Sequence, residues 1–370
     1  MRILVLNYEY PPLGGGAAPV TKTLAQRLAA RGHTIDIVTM GYDDLPAYEQ
    51  SKGVSVYRVP CLRSQQNECS LHEMATYLPT SFLKARQLLQ THEYDLIHAH
   101  FIVPTGIIAS ALSTLYDVPF VLTPHGTDVP GYNPDRFLSA HRAILPLWRR
   151  IVQSASAVTS PSAYLADLIT QHEPGVNVEV IPNGVDTTRF NPNRAQEKRI
   201  LVTSRLFERK GIQHFLAALQ EVEADWPVVI TGDGPYRSEL EQQAESIDHD
   251  IEFVGWVSLD RLETLLETSA IYVFPSCHEN CPVALLEGMA SGNAIIAANE
   301  SGTAEIINDT GVTVNPKTPM SFATQIDRVI DNEEFQQELR QSAMNRAQST
   351  YDWEKVVNTF QKLFYRVVNS

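Results

Sequence analysis

The stretch Arg2-Ile3-Leu4-Val5-Leu6, followed by Pro11-Pro12-Leu13-Gly14-Gly15-Gly16 and then by Ile35-Asp36-Ile37-Val38, decides the fold. Ile3 to Leu6 is an unbroken apolar run of strand length, and the proline and glycine residues make a turn after it. Val20, Leu24 and Leu28 recur every four residues, which predicts a helix from about Pro19 to Arg31, and Gly32 supplies its stop. Ile35 to Val38 is the next strand. The alternation continues with strands expected near 54–59, 94–99, 119–123, 156–160 and 177–181 and helices between most of them. Apolar runs separated by helices predict a parallel sheet covered on both faces.

The same pattern restarts after the polar stretch Asn191 to Lys198, with strands expected at 199–204, 227–231, 251–254, 270–274 and 293–297. The reading is therefore α/β, with two Rossmann-like, doubly wound, parallel-sheet domains facing a central cleft. Its expected boundaries are an amino-terminal domain over 1–184, a linker over 185–198, and a second domain over 199–351. A last helix over 352–370 presents Val356, Val357, Phe360, Phe364 and Val367 on one face and is expected to cross back to the first domain. Such folds bind ligands where the strands end, so the cleft is the expected site.

Composition narrows the function. The 370 residues suffice for two domains, and 44% hydrophobic with 19% charged residues argues against disorder. A formal charge of −14 lacks the basic footprint of a nucleic-acid binder. Residues 1–190 carry 14 Lys and Arg against 16 Asp and Glu, whereas residues 191–370 carry 15 against 27, so the acidity is concentrated in the second half. Cys61, Cys69, Cys277 and Cys281 contain no C-x-x-C pair, so neither a disulfide framework nor a zinc site is expected. No stretch of about 18 apolar residues exists to cross a membrane, and the opening strand does not read as a signal peptide. The expected location is cytoplasmic.

Four constellations carry chemistry. Pro275-Ser276-Cys277-His278-Glu279-Asn280-Cys281-Pro282-Val283-Ala284-Leu285-Leu286-Glu287 places two carboxylates eight residues apart around a helix start. About 12 Å of helix separates such positions, the scale of a ribose at one end and a hexose at the other, and the amides of Asn280, Cys281 and Val283 suit an anion between them. Spacing alone equally allows a capping Glu279 and a solvent-facing Glu287. Arg205 and Lys210 follow the first strand of the second domain. A cation at a helix start opposes the helix dipole, which points to an anion between these two, although a pair of surface cations fits the same spacing. Gly14 to Gly16 allow close backbone approach to a phosphate or simply make a turn. His125, in Thr123-Pro124-His125-Gly126-Thr127-Asp128, sits past the strand Phe120-Val121-Leu122 and is expected to face the cleft. Gly232-Asp233-Gly234 lacks the third glycine of a dinucleotide fingerprint, and no P-loop is present, so hydride transfer and P-loop phosphoryl transfer lose their warrant.

Taken together, Tyr10-Pro11-Pro12-Leu13-Gly14-Gly15-Gly16, Ile181-Pro182-Asn183-Gly184-Val185-Asp186, the R-x₄-K pair Arg205 and Lys210, the Gly232–Gly234 turn and the E-x₇-E pair Glu279 and Glu287 resemble the retaining glycosyltransferases of glycosyltransferase family 4, with the GT-B fold. The resemblance covers nearly the whole chain. It implies that Arg205 and Lys210 bind the donor diphosphate, that Glu287 binds the ribose and that Glu279 and His125 contact the transferred sugar. It further implies that Gly15, Gly16, Gly234, Asn280, Cys281 and Val283 line the donor, that Val257 meets the base and that Asp128 lies on the acceptor side. Asn280 and Cys281 depart from the residues many relatives carry there, which leaves donor choice open.

The implied reaction is retaining transfer of a hexose-type sugar from a nucleoside-diphosphate sugar, UDP-linked before GDP-mannose, to the hydroxyl of a saccharide or lipid-linked acceptor in envelope polysaccharide or glycolipid synthesis. No metal and no cofactor are expected, since no D-x-D cluster is placed to bind an ion. A UDP-sugar epimerase of the same fold and a non-catalytic nucleotide-sugar binder are the alternatives. The stretch 136–150, with four arginines interleaved with Phe137, Leu147 and Trp148, is expected either to touch an anionic membrane surface on the inner face or to form a buried helix with a solvated cationic edge. Pro146 is expected to kink or break it.

Overall fold

The computed structural model describes residues 1–133, 138–191 and 194–370, with residues 138–141 as backbone alone. The chain divides into two compact units, Met1–Pro182 with Glu354–Ser370, and Asn183–Trp353.

The first unit is built on eight strands: β1 (Arg2–Leu6), β2 (Thr34–Met40), β3 (Tyr48–Ser51), β4 (Val54–Val59), β5 (Leu96–His100), β6 (Phe120–Thr123), β7 (Ala157–Ser160) and β8 (Val178–Val180), in the order β3-β4-β2-β1-β5-β6-β7-β8. All pair in parallel except β3, which is antiparallel to β4. Its helices are α1 (Ala17–Ala30), α2 (Leu71–Thr91), α3 (Ile107–Tyr116), α4 (Leu138–Ser154) and α5 (Ala163–His172). The central strands are buried along almost their whole length because helices cover both faces. Chain order reverses direction across the sheet between β1 and β5, so the turns leaving these two strands splay apart and leave a crevice at their carboxyl ends.

The second unit carries β9 (Glu197–Thr203), β10 (Val228–Thr231), β11 (Ile251–Gly255), β12 (Ser269–Phe274), β13 (Ala294–Ala298) and β14 (Val312–Val314) in the order β11-β10-β9-β12-β13-β14, all parallel. Its helices are α6 (Ile212–Leu219), α7 (Arg237–Ala244), α8 (Leu259–Thr268), α9 (Val283–Ala290), α10 (Ser301–Ile307), α11 (Pro319–Asp331) and α12 (Glu333–Arg346). The reversal here lies between β9 and β12. Two parallel-sheet α/β units of this kind are the architecture expected from the alternating pattern.

The differences have local causes. β3 is polar and largely exposed, and β14 has three residues, so neither has an apolar run to announce it. The segment expected as a linker over 185–198 belongs to the second unit: Val185 and Phe190 are buried in its core, and Val185 bridges to Asp352. Helix α4 runs through Pro146 without a break. Within the stretch 136–150, Arg136 and Phe137 lie outside the described residues, and Trp148 is fully buried, donating from Nε1 to the Asp128 carbonyl at 2.9 Å. Of the two readings of this stretch, Trp148 therefore fits the buried helix. Among the described residues no helix is long and apolar enough to cross a membrane. The terminal helix α13 (Trp353–Val368) joins the first unit from Glu354 onward. There Glu354 pairs with Arg27 at 2.7 Å and Arg31 at 2.5 Å, and Phe360 and Phe364 pack against the His98 ring.

One polar anchor positions the glycine turn. Glu73, in the first turn of α2, accepts from the Ser64 amide at 2.6 Å and hydroxyl at 2.7 Å and from the Ser70 amide and hydroxyl at 2.7 Å. Burial pushes its carboxyl up, but these four donors outweigh burial and hold it down at about 2. The loop so anchored reaches the glycine turn through Gln66, whose carbonyl accepts from the Gly14 amide and whose amide donates to Pro12 O, both at 2.9 Å. Because the folded value lies below the unfolded one, this stabilisation is present above about pH 4 and is lost as pH falls toward 2. We expect Glu73→Ala to lower the unfolding free energy of the first unit by about 2 kcal/mol at pH 7, read from urea denaturation, and to flatten the acid limb of its stability profile. An unchanged midpoint would show that the anchor is dispensable.

Candidate functional site

In the second unit, the two turns that flank the reversal are 204–211, after β9, and 275–282, after β12. They touch closely. Gly211 has φ +70, and a Cβ there would lie 2.3 Å from Pro275 O, so glycine alone lets the first turn press against the second. The turn Gly232–Gly234 after β10 holds the other side, with the Leu206 amide donating to Asp233 O at 2.9 Å and the Tyr236 amide to Leu206 O at 3.0 Å. At Gly234 a Cβ would stand 2.3 Å from Leu206 O, so this glycine serves close backbone packing.

This packing brings Lys210 and Glu279 together. Lys210 Nζ donates to Glu279 Oε1, which also accepts from the Ser276 hydroxyl at 2.6 Å. The side chains are only 17% and 15% exposed, so the pair is largely out of water. Burial pushes the Glu279 carboxyl up, and the Lys210 ammonium, the Ser276 hydroxyl and the nearby Arg209 charge together bring it below the usual carboxylate range. Arg205, half-buried, lies with Cζ 5.4 Å from the Phe207 ring centroid. Among the described residues its guanidinium is in no ion pair, leaving its fork for an acidic ligand.

Glu287, on α9, is not the solvent-facing residue that spacing alone allows. Its side chain is 18% exposed, and Oε1 accepts from Arg189 Nη1 at 3.0 Å. Burial raises its carboxyl, with Arg189 opposing. In both carboxylates one oxygen is fixed by a cation, while Oε2 accepts no hydrogen bond from the described residues. Between them Pro282 is the N-cap of α9. Asn280 and Cys281 are buried, Cys281 as part of the apolar core, and the Cys281 carbonyl accepts from Asn183 Nδ2 at 2.7 Å. Val283 opens the helix. Val257 is half-buried beside Trp256, which is 67% exposed past the end of β11. The four cysteines are free, and among the described residues no group of three His, Cys, Asp or Glu side chains is arranged to hold a metal.

The crevice of the first unit is lined by the turn 7–16 after β1, the end of β5 and the turn after β6. Three histidines gather there. His100 Nδ1 and His125 Nε2 are 3.0 Å apart with the rings stacked, and the His98 ring lies 4.2 Å from that of His100. His98 Nε2 reaches the Thr123 hydroxyl at 2.8 Å, which reaches Thr159 at 2.6 Å. Burial holds all three rings neutral, His98 down at about 3, His125 at about 4 and His100 well below the ordinary value.

Two expectations are corrected here. Asp128 does not face an acceptor. Its carboxylate is buried and spent on backbone amides, of Ile102 at 2.6 Å and of His125 and Gly126 at 3.1 Å, so it fixes the turn that carries His125. Burial raises its carboxyl to about 6 despite those donors. Nor is the Gly15 amide an open phosphate donor, because it donates to Glu9 Oε2 at 3.1 Å. Gly16 is exposed at the N-cap of α1.

Sequence reasoning missed Arg189, Ser276, Glu9, His98 and His100. The histidines carried a signal, since His98-Ala99-His100 ends an apolar strand with two residues on one face. Arg189 carried none, because its partners Glu263 and Glu287 lie more than seventy residues away.

Residues 14–189 match the family described as Glycosyltransferase Family 4, and residues 185–346 match Glycosyl transferases group 1. An uncharacterized glycosyltransferase of Methanocaldococcus jannaschii is 29% identical, with 96% of each chain covered. The glycogen synthase of Mycobacterium tuberculosis is 28% identical over 98% of this chain and 94% of its own. Among solved structures, the sucrose-phosphate synthase of Thermosynechococcus elongatus superimposes with a TM-score of 0.86 over 99% of both chains at 20% identity.

The histidine cluster generates a pH prediction. The unfolded chain takes up protons near pH 6.5 that the folded rings refuse, so stability is full above about 6.5 and is lost as pH falls toward 4. Each ring contributes up to about 1.4 kcal/mol per pH unit in that window. Asp128, raised in the folded state, works the other way between about pH 4 and 6 and offsets one ring of the three. We expect the urea midpoint of the first unit to drop between pH 7 and 5, and the ring resonances of His98, His100 and His125 to stay at neutral positions at pH 5.5. Titration of these rings near 6.5 would refute the buried-neutral assignment.

Proposed function

Since the chain is a GT-B glycosyltransferase, family 4-like, we propose that it transfers a hexose-type sugar from a nucleoside-diphosphate sugar to a hydroxyl acceptor with retention of configuration. The observation that carries this reading is the Lys210–Glu279–Ser276 cluster beside Arg205, set at the strand reversal of the second unit. As the sugar–phosphate bond breaks, negative charge grows on the departing diphosphate. The Lys210 ammonium and the Arg205 guanidinium stabilise that charge most when it is most developed, in a site with little water to reorganise. Glu279, held ionised by Lys210, faces the transferred sugar with its uncommitted oxygen, and Glu287 accepts from the ribose hydroxyls.

The acceptor hydroxyl attacks from the face that the phosphate leaves, and a phosphate oxygen takes its proton, so no enzymic nucleophile is required. His125, held neutral by burial, is assigned to hydrogen bonding with the sugar rather than to charge. The two cations take the role of a metal ion on the leaving group, and turnover is expected to persist in EDTA. UDP-glucose leads the donor panel, and GDP-mannose is the second choice. A relative named for glycogen supports a saccharide acceptor, and envelope polysaccharide or glycolipid synthesis is the setting we favour.

Lys210→Ala is expected to cut kcat about a hundredfold, which is roughly 3 kcal/mol of transition-state stabilisation. The measurement is nucleoside diphosphate released in the presence of an acceptor panel, with near-ultraviolet circular dichroism to show that the variant is folded. Unchanged turnover would remove Lys210 from the chemistry. Diphosphate-independent interconversion of the donor sugar would move the reading to an epimerase.

A further inference from the structure

We infer that Arg189 is a positioning residue, aiming the Glu287 carboxylate at the ribose hydroxyls of the donor. The inference rests on the reading of Glu287 given under the proposed function and extends it to a residue outside the R-x₄-K and E-x₇-E pairs.

Arg189 is fixed from three directions within the second unit. Its Nε donates to Glu263 on α8, its Nη1 donates to Glu287 Oε1 at 3.0 Å, and its Cζ lies 5.2 Å from the ring centroid of Phe190, which is buried in the core. A planar fork can span two carboxylates on two helices in this way, whereas the point charge of a lysine cannot. Nη2 is buried with no hydrogen-bond partner, so the guanidinium has not been placed to satisfy all its own donors. The arrangement satisfies Glu287 Oε1 and leaves Oε2 to accept.

The charge count points the same way. One guanidinium faces two carboxylates, Glu263 and Glu287, and both raise the Arg189 pKa. A pair made only for stability would need one carboxylate. The second leaves a net negative charge at the uncommitted oxygen, suited to a neutral ligand rich in hydroxyl donors, as a ribose diol is. Asn183, six residues upstream, holds the other end of the same stretch through the Cys281 carbonyl at 2.7 Å. The short segment 183–189 therefore braces both the turn that carries Glu279 and the helix that carries Glu287.

The test compares binding of UDP and 2′-deoxy-UDP to the full chain by calorimetry, with the GDP and ADP pairs run in parallel. In the unsubstituted protein, loss of the 2′-hydroxyl is expected to weaken binding about tenfold or more for at least one base. In Glu287→Gln and in Arg189→Gln that ratio is expected to fall to within about threefold. A merely structural Arg189 would weaken both members of a pair equally and keep the ratio, which overturns the inference while the ribose role of Glu287 stands. If the unsubstituted protein binds none of the diphosphates, or does not distinguish ribose from deoxyribose with any base, the reading of Glu287 fails and the inference with it. Should Arg189→Gln not fold, Arg189→Lys keeps the charge and loses the fork. Its ratio is expected to drop at least threefold, and an unchanged ratio overturns the inference.

Discussion

A lysine ammonium and a glutamate carboxylate, brought largely out of water on two neighbouring turns, impose the main constraint on the second unit. Lys210 and Glu279 are sixty-nine positions apart in the chain, and each alone would be costly to bury. Their meeting requires that β9 and β12 lie side by side, that chain order reverse between them, and that Gly211 allow one turn to press on the other. An ion pair of this kind does little for stability against an apolar replacement. Under the function proposed above, its place at the carboxyl ends of two central strands is a prepared electrostatic environment, in which a leaving diphosphate meets charge already in place.

The first unit prepares its crevice by a different means. There three buried imidazoles are held neutral beside two threonine hydroxyls, and the Asp128 carboxylate is occupied by backbone amides. Asp128 is instructive because it has the residue type and position of a binding group and yet serves the fold. With three backbone donors on one carboxylate, it shapes the turn that presents His125. Glu9 does the same for the glycine turn by taking the Gly15 amide. Both cases show that a carboxylate near a ligand crevice is read correctly only when its hydrogen bonds are counted.

Much of the architecture was legible in the chain. The central strands of both sheets announced themselves as apolar runs, because a strand buried on both faces has no solvent side to carry polar residues. The two elements missed, β3 and β14, are a polar exposed edge and a three-residue strand. The linker over 185–198 was drawn around a polar stretch, but polarity of a few residues does not outweigh Val185 and Phe190, which the second core buries. The stretch 136–150 allowed either a membrane-surface contact or a buried helix with a cationic edge, and the Trp148 indole, in the core with Nε1 satisfied by a carbonyl, fits the second.

What the sequence determined by itself was periodicity and local chemistry: two alternating strand and helix series, glycines where turns are tight, and the residue types at Arg205, Lys210, Glu279 and Glu287. These are properties of neighbours along the chain, and short-range sterics and burial set them. The tertiary structure alone decided which charges meet, that Lys210 lies against Glu279, that Arg189 spans Glu263 and Glu287, and that the Ile102 amide reaches Asp128. Those pairings join residues brought together only by strand order, and no local spacing encodes a contact across a sheet reversal.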